Sequence, residues 1–488
     1  MADLSELLPR VKYELVGQIV ATVLGAALIL FLVRLLGPQR YGLLFLAVSI
    51  LGFTKIFCEA GVANSGARYV AEYKERAPEQ IPHILRTSLL YNLGTLAVVA
   101  VVLIAGHQHI AALFDGTELA SLLLYGVLFV VFGTLTTYTR ITLQGFEAIR
   151  LSASIHALNI LGRFVVAIGL VILGYGVWGA LTGYILGFAL GSLLGLVALY
   201  LWFYRGWETG VSIETGLRKR MAEYTMPLTA TSTAKALDLH IDTILVGFFL
   251  NPVSVGLYVL AKQISQFLET PVYALGFSLA PTYGAEKARD NIQAAADLYE
   301  TSLEYSLLVY IPAAAGLVLV AEPTIRYIFG SEYLGAVAVL QILAIYVIFR
   351  SLTTITENGL DYLGRARSRA IIKVVTVVLN IFLSILLIPR VGIIGAAIAT
   401  TISYGLFSIA TMYIVFSELR LGVSVLYKKL FNIVLITGVM CLSIFLVIDF
   451  ITGLFSLVAI VVFGILVWGM VSIGLGMIDI DILEDYKL

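Results

Sequence analysis

Lys55 and Glu59 stand four residues apart inside FLAVSILGFTKIFCEAG, a stretch with no other charge. The same pattern recurs along the chain. Lys235, Asp238 and Asp242 follow an i, i+3, i+7 spacing, and Lys262, Gln266 and Glu269 an i, i+4, i+7 spacing. His156, Asn159 and Arg163 share one helical face, and Arg350 and Glu357 lie seven residues apart. On a helix each spacing stacks its members on one side. A charge at the centre of a bilayer costs roughly 2.5–3.5 kcal/mol or more, so it needs a partner, a wet cavity or a route to the interface. Two chemistries compete: ion pairs that fix helix positions, and cations that line a water-filled cavity. For Lys55, Arg163, Lys235, Lys262 and Arg350 we expect the cavity and a substrate-binding role. For Glu59, Asp238, Asp242, Glu269 and Glu357 we expect ion coupling or charge pairing, with the structural pair an equal alternative for Asp238, Asp242 and Glu357. Arg34 and Lys373 also fall in apolar runs, near span ends where a long stem can snorkel. Counted with these two, the spans hold seven cations against five acids, which suits an anionic substrate, because Arg and Lys are natural phosphate ligands.

Such charges carry meaning only if their surroundings are lipid, and the composition says so. The chain has 488 residues, 60% hydrophobic and 13% charged, with a mean hydropathy of +0.98. A soluble domain holds about 25% charged residues. Backbone polar groups in lipid need partners within the protein, which leaves helices or a closed barrel. The apolar runs are about 20 residues long and do not alternate, so helices are expected. Net charge is zero, which gives no electrostatic footprint for nucleic acid. Cys58 and Cys441 read as buried small hydrophobes, and no cleavable leader is evident.

The runs predict about 14 transmembrane helices, near 15–36, 42–65, 84–105, 119–141, 152–173, 177–204, 223–249, 255–280, 301–321, 334–357, 370–388, 393–416, 430–449 and 452–475, each boundary good to about 2–4 residues. With the N-terminus inside, the outer loops hold only Arg40, Arg326 and Arg390, while the inner segments carry the other loop cations. The positive-inside rule is obeyed at every alternation. Both termini are expected to be cytoplasmic, in the cell membrane.

The chain also repeats itself. RLLGPQRYGLLFLA at Arg34–Ala47 returns as FFLNPVSVGLYVLA at Phe248–Ala261, an offset of 214. Tyr69, Ala71 and Glu72 meet Tyr283, Ala285 and Glu286 at that offset. With small insertions LTTYT (Leu135–Thr139) matches LTTIT (Leu352–Thr356), and GVWGA (Gly176–Ala180) matches GIIGA (Gly392–Ala396). Spans 1–6 and 7–12 are therefore two copies of one six-helix unit. Six is even, so the repeats are parallel, an arrangement that places substrate at the interface between halves. The expected organisation is an N-terminal lobe over 1–221, a C-terminal lobe over 222–428, and two extra helices with a cytoplasmic tail over 429–488.

Two features bear on motion. Pro271 and Pro312 should kink their helices. Gly179, Gly183, Gly187, Gly191 and Gly195 make a ladder of every fourth residue, which lets a neighbouring helix pack closely or slide. Several chemistries are missing. No G-x-x-x-x-G-K-[ST] loop and no H-E-x-x-H occurs, so neither a nucleotide cofactor nor a metal is expected. His107 and His109 read as solvated residues of an outer loop. No loop is long enough to be a soluble catalytic domain, so the chain is not expected to be an enzyme.

RLLGPQRYGLLFLAVSI (Arg34–Ile50), EAGVANSGARYVAEY (Glu59–Tyr73), DTILVGFFLNPVSVGLYVLA (Asp242–Ala261), ENGLDYLGRARSRA (Glu357–Ala370) and PRVGIIGAAIATTISYG (Pro389–Gly405) resemble the polysaccharide-synthesis transporter family. These are flippases of the multidrug/oligosaccharidyl-lipid/polysaccharide exporter superfamily. The resemblance covers essentially the whole chain. It implies two six-helix lobes around a central cavity, and translocation of a polyprenyl-phosphate- or diphosphate-linked glycan from the inner to the outer leaflet by alternating access. Its implied partners are that glycan, membrane lipids and the glycan polymerase or ligase machinery. Three alternatives stay open: a multidrug antiporter of the same superfamily, a lipid II flippase, and a non-transporting membrane partner of glycan assembly. The early acids typical of the antiporter are missing, since the first span has only Glu14 at its edge.

Overall fold

The computed structural model describes residues 4–59, 61–114, 116–206, 212–288, 292–421 and 423–477. These are helical almost throughout, with no strand among the described residues. The chain is an all-α polytopic membrane protein. Ten helical stretches among the described residues are long and apolar enough to cross a bilayer. Two of them are pairs of spans merged at glycine kinks, at Gly37 and at Gly174–Gly176. The charged α8 and α9, below, complete the fourteen-span order.

Contacts divide the chain into two compact units, Met1–Gly256 and Leu257–Leu488. In the first, α1 (Leu4–Glu59) reverses at Gly37 (φ 69, ψ 169). That φ belongs to glycine, and Pro38 then starts the return with its preset φ. The return helix breaks again at Gly61 (φ 70), after which α2 (Val62–Arg76) continues. The second span therefore reaches further than 65, in two pieces. A break leaves the preceding carbonyls without helical partners. The Cys58 carbonyl accepts the Thr95 hydroxyl at 2.8 Å and the Asn92 amide at 3.4 Å, both from α3 (Ile81–Ala112). Thr95 also reaches the carbonyls of Tyr91 (3.1 Å) and Asn92 (3.0 Å) in its own helix.

His107 and His109 lie within α3, not in a loop. The helix outlasts its apolar run and ends at Ala112, and beyond Gly116 α4 (Thr117–Tyr125) and α5 (Val127–Gly145) form the next span. Next come α6 (Ile149–Leu170) and α7 (Gly176–Ala198), the latter extended by a π-helical turn, Leu199–Tyr204. The glycine ladder of α7 is a packing surface. A Cβ on Gly183 would sit 2.4 Å from the Ala167 Cβ, and one on Gly187 2.8 Å from the Arg163 Cβ. A Cβ on Gly195 would sit 2.3 Å from the Thr139 hydroxyl oxygen. Finally α8 (Leu217–Phe249) packs on α1, with Gly52 against the His240 ring and Gly247 against Leu46.

The second unit holds most of α9 (Pro252–Ala288), then α10 (Ile292–Thr324), α11 (Val337–Tyr362), α12 (Ala366–Val391) and α13 (Ile393–Leu419). The sequence repeat has a backbone counterpart. Gly176 (φ 51, ψ −130) opens α7, and Gly392 (φ 66, ψ −147) opens α13 in the same conformation. Three residues on, Gly179 and Gly395 each press against the helix before, at Leu170 and Leu387. Pro271 lies inside α9, and the Val272 amide beside it donates to the Tyr310 hydroxyl at 2.8 Å. Pro312 and Pro323 lie inside α10, which stays helical through both.

The two extra helices are α14 (Val423–Val447) and α15 (Leu454–Gly474). They pack against α10, where the Trp468 indole donates to the Leu308 carbonyl at 3.0 Å and Lys429 pairs with Glu304.

Candidate functional site

In the first unit, Lys55 is held from three sides. Its Nζ lies 2.6 Å from the Glu59 carboxylate and donates to the Thr137 hydroxyl at 3.3 Å. The stem crosses Gly133 of α5, where a Cβ would come within 3.0 Å of the Lys55 Cε. Glycine at 133 is therefore the slot that admits the lysine. Both members of the ion pair are partly accessible, so the pair faces an open region and not a dry core.

Arg163 on α6 lies against α7, its guanidinium 4.8 Å from the centre of the Tyr184 ring. Its Nε is buried with no hydrogen-bond partner among the described residues. A planar cation stacked on an aromatic face keeps its edge donors available for a planar anion. His156, two turns earlier on the same face of α6, is half-buried in the field of Arg140 and Arg163. On α8, Asp242 is 2% exposed and Asp238 is half-buried. Of Lys235 on the same helix only the backbone is described, so its side chain lies outside the described residues.

The second unit builds a different cluster. Arg350 on α11 donates through Nε to the Glu269 carboxylate of α9 at 3.3 Å, and Glu269 is 4% exposed. Glu357, which shares a helix face with Arg350, makes no ion pair among the described residues. The arginine thus pairs across helices. Its guanidinium lies 5.7 Å from the Tyr404 ring of α13. Lys373 on α12 approaches the same ring at 4.3 Å, donates to the Tyr404 hydroxyl at 2.9 Å, and lies 5.0 Å from the Phe407 ring. Two cations therefore meet at one tyrosine, and one of them also holds a buried carboxylate. Lys262 is half-buried on α9, two turns before Glu269.

Sequence reading placed Lys373 at a helix end and missed its aromatic seat. The sequence carried no signal for it, since spacing within a helix does not tell which ring the next helix presents. Gly133 was missed for a similar reason, since a single glycine in an apolar run gives no sign of what crosses it.

At the end of the first unit that carries Arg76, Arg150 and Arg205, hereafter the basic end, a polar clamp holds the segment before α8. The Glu214 carboxylate accepts the Tyr73 hydroxyl at 2.7 Å and an Arg220 Nη at 2.6 Å. Gln80 completes it, donating to the Ser212 carbonyl and accepting the Glu214 amide, each at 2.9 Å. The Tyr73 hydrogen bond, then Arg220, hold the Glu214 carboxyl below its ordinary range.

Comparison with known proteins agrees with this architecture. Residues 31–338 match the model of a family described as polysaccharide biosynthesis protein. The chain is 25% identical over 398 residues to the probable low-salt glycan biosynthesis flippase Agl15 of Haloferax volcanii, covering 79% of each chain. It is 26% identical to the lipid II flippase MurJ of Bacillus subtilis over 263 residues, 48% of this chain and 46% of that one. Among solved structures, a lipid II flippase MurJ in an inward closed conformation superposes with a TM-score of 0.75 at 17% identity, over 94% of this chain and 97% of the other. An inward-facing multidrug resistance MATE transporter superposes at 0.68 with 15% identity, over 82% and 94%. With residues 31–338, more than half of the chain, inside the family match, the chain belongs to the polysaccharide biosynthesis protein family, and it has the fold of these MurJ and MATE structures.

Proposed function

We propose that the protein is a membrane flippase that moves a polyprenyl-linked oligosaccharide from the cytoplasmic to the outer leaflet by alternating access. The observation that carries this reading is Arg163, whose buried Nε has no hydrogen-bond partner among the described residues while its guanidinium rests on Tyr184. An unsatisfied charged donor in a membrane span costs free energy unless a ligand completes it. A phosphate or diphosphate offers the matching planar acceptors. Lys55 adds a second cation in the first unit, Arg350 and Lys373 form a cationic cluster of the second, and aromatic rings beside Arg163, Arg350 and Lys373 suit the faces of sugars as well. Lys235 and Lys262 belong to the same proposed set, and the acids Glu59, Asp238, Asp242, Glu269 and Glu357 to charge pairing or ion coupling.

The names of the relatives, glycan biosynthesis flippase among them, support this class of cargo. The proposed orientation puts the basic end and both termini in the cytoplasm, following the lysines and arginines of the loops. The lobes over 1–221 and 222–428 remain the proposed moving halves, with 429–488 as an appendix.

The test is deletion of the gene, followed by leaflet-resolved analysis of lipid-linked glycans, with complementation by the wild-type chain and by Arg163→Ala. Accumulation of a glycan-linked polyprenyl diphosphate on the cytoplasmic leaflet, relieved by wild type and not by Arg163→Ala at equal membrane level, is the expected result. Accumulation of lipid II alone would reassign the cargo. Unchanged glycans with new drug sensitivity would overturn the reading in favour of an antiporter.

A further inference from the structure

A second cationic feature of the first unit lies on another flank. Leu85, Leu89, Leu196 and Leu199 floor a groove of about 320 Å³ between α3 and the end of α7, with Arg86 and Tyr200 at its rim. Arg86 is exposed and makes no hydrogen bond or ion pair among the described residues. This sets it apart from Arg220, Arg326, Arg350, Arg365 and Arg369, each of which holds a carboxylate.

Position narrows what could sit there. Arg86 is in the second turn of α3, and the facing wall is the π-helical turn that ends α7, so the groove is at the basic end. That turn brings Tyr200 and Tyr204 into a stack, centroids 6.0 Å apart and planes 25° apart. π-helical turns inside longer helices are uncommon and concentrate at functional places. Tyr200 and its neighbour Trp202 are exposed, as interfacial aromatics are at headgroup depth. Neither Lys55 nor Arg163 lines the groove, which is therefore distinct from the cations described above.

We propose that this groove is a binding site for one anionic phospholipid of the bilayer. The phosphodiester rests on the Arg86 guanidinium, and the start of one acyl chain lies on the leucine floor between α3 and α7. The tyrosine stack walls the glycerol region. Charge complementarity supplies the selectivity: a lone arginine attracts a headgroup with net negative charge, and the interface at a basic end is where anionic lipids gather. A zwitterionic headgroup carries its own ammonium and gains less from the same cation. The lipid would brace the α3–α7 flank, a role independent of the cargo.

The experiment uses the full chain, purified and delipidated in detergent, titrated with phosphatidylglycerol or phosphatidylcholine and read by native mass spectrometry. The first phosphatidylglycerol adduct is expected at about tenfold lower concentration than the first phosphatidylcholine adduct, the size of one charge-assisted contact. Arg86→Gln should remove that difference, and Arg86→Lys should restore part of it. Leu89→Trp, which fills the floor and keeps the cation, should also lose the adduct. Retained preference in Arg86→Gln would overturn the proposal. Displacement of the lipid by millimolar inorganic phosphate would reassign the site to a free anion, and stoichiometric displacement by undecaprenyl phosphate would reassign it to the cargo; either outcome overturns it. Neither result touches Arg163, so the flippase reading stands or falls separately.

Discussion

Gly42 and Gly256, 214 positions apart in the sequence and equivalent in the repeat, press backbone to backbone. A Cβ on Gly42 would lie 1.7 Å from the Pro252 carbonyl oxygen and 2.7 Å from the Gly256 amide nitrogen. A Cβ on Gly256 would lie 2.2 Å from the Pro38 carbonyl oxygen and 3.2 Å from the Gly42 nitrogen. Each hairpin thus meets the proline turn of the other. Backbone cannot rotate away as a side chain can, so Gly42→Val and Gly256→Val should each destabilise by at least about 1–3 kcal/mol. A drop in melting temperature of the detergent-solubilised protein measures this; an unchanged melting temperature refutes the close approach. Where the hairpins act as a gate, a Gln39→Cys/Val253→Cys cross-link should stop translocation, and reduction should restore it.

The α7 ladder makes a graded prediction. Gly183→Leu meets Ala167 and should cost stability in the same range as other overpacking, about 1–3 kcal/mol. Gly169→Leu, where nothing lies within 4 Å of the new Cβ, should leave the melting temperature nearly unchanged. Equal effects at both positions would mean that α6 and α7 are not in register as described.

Arg350 and Glu269 allow structure and transport to be separated. Arg350→Gln alone leaves a buried carboxylate without its cation, a loss of about 3–5 kcal/mol. Adding Glu269→Gln should recover most of that stability. If Arg350 also reads the cargo, the double variant regains stability and still fails to export glycan. Recovery of both would confine Arg350 to pairing with Glu269.

The clamp at the basic end gives a pH dependence. The Glu214 carboxyl is held below its ordinary value, so its contribution is present above the unfolded-state value, about 4.3. That contribution is lost as pH falls through the lowered folded value. Limited proteolysis of the segment before Leu217 should therefore accelerate on acidification in the wild type. Glu214→Gln should show the faster cleavage already at neutral pH, with no further change in acid. A pH-independent wild-type rate would rule out the clamp.

Much of this was legible beforehand, for reasons that differ by residue. The fourteen spans and the repeat follow from apolar run length and from GVWGA and GIIGA, because glycine at a left-handed turn leaves a local signature. The pairing of Lys55 with Glu59 was legible because both lie on one helix at i, i+4. The pairing of Arg350 was not: its partner Glu269 lies 81 positions earlier on another helix, and helical spacing offered Glu357. The seat of Lys373 on Tyr404 was hidden for the same reason, since spacing within a helix says nothing of which ring a neighbouring helix presents. The extension of α3 past its apolar run, carrying His107, shows that hydropathy marks the lipid boundary and not the helix end.

The Thr95 hydroxyl has one proton and three carbonyls within reach: Cys58 across the break in the second span, and Tyr91 and Asn92 in its own helix. It can therefore let go of Cys58 and turn to its own turn of helix without ever being left bare. The bond count on the donor is the same before and after. A shift of the α1 end beside Gly61 against α3 would therefore exchange one acceptor for another in a place where water is scarce. Thr95→Val would remove this exchangeable donor and leave the Cys58 carbonyl to the Asn92 amide alone.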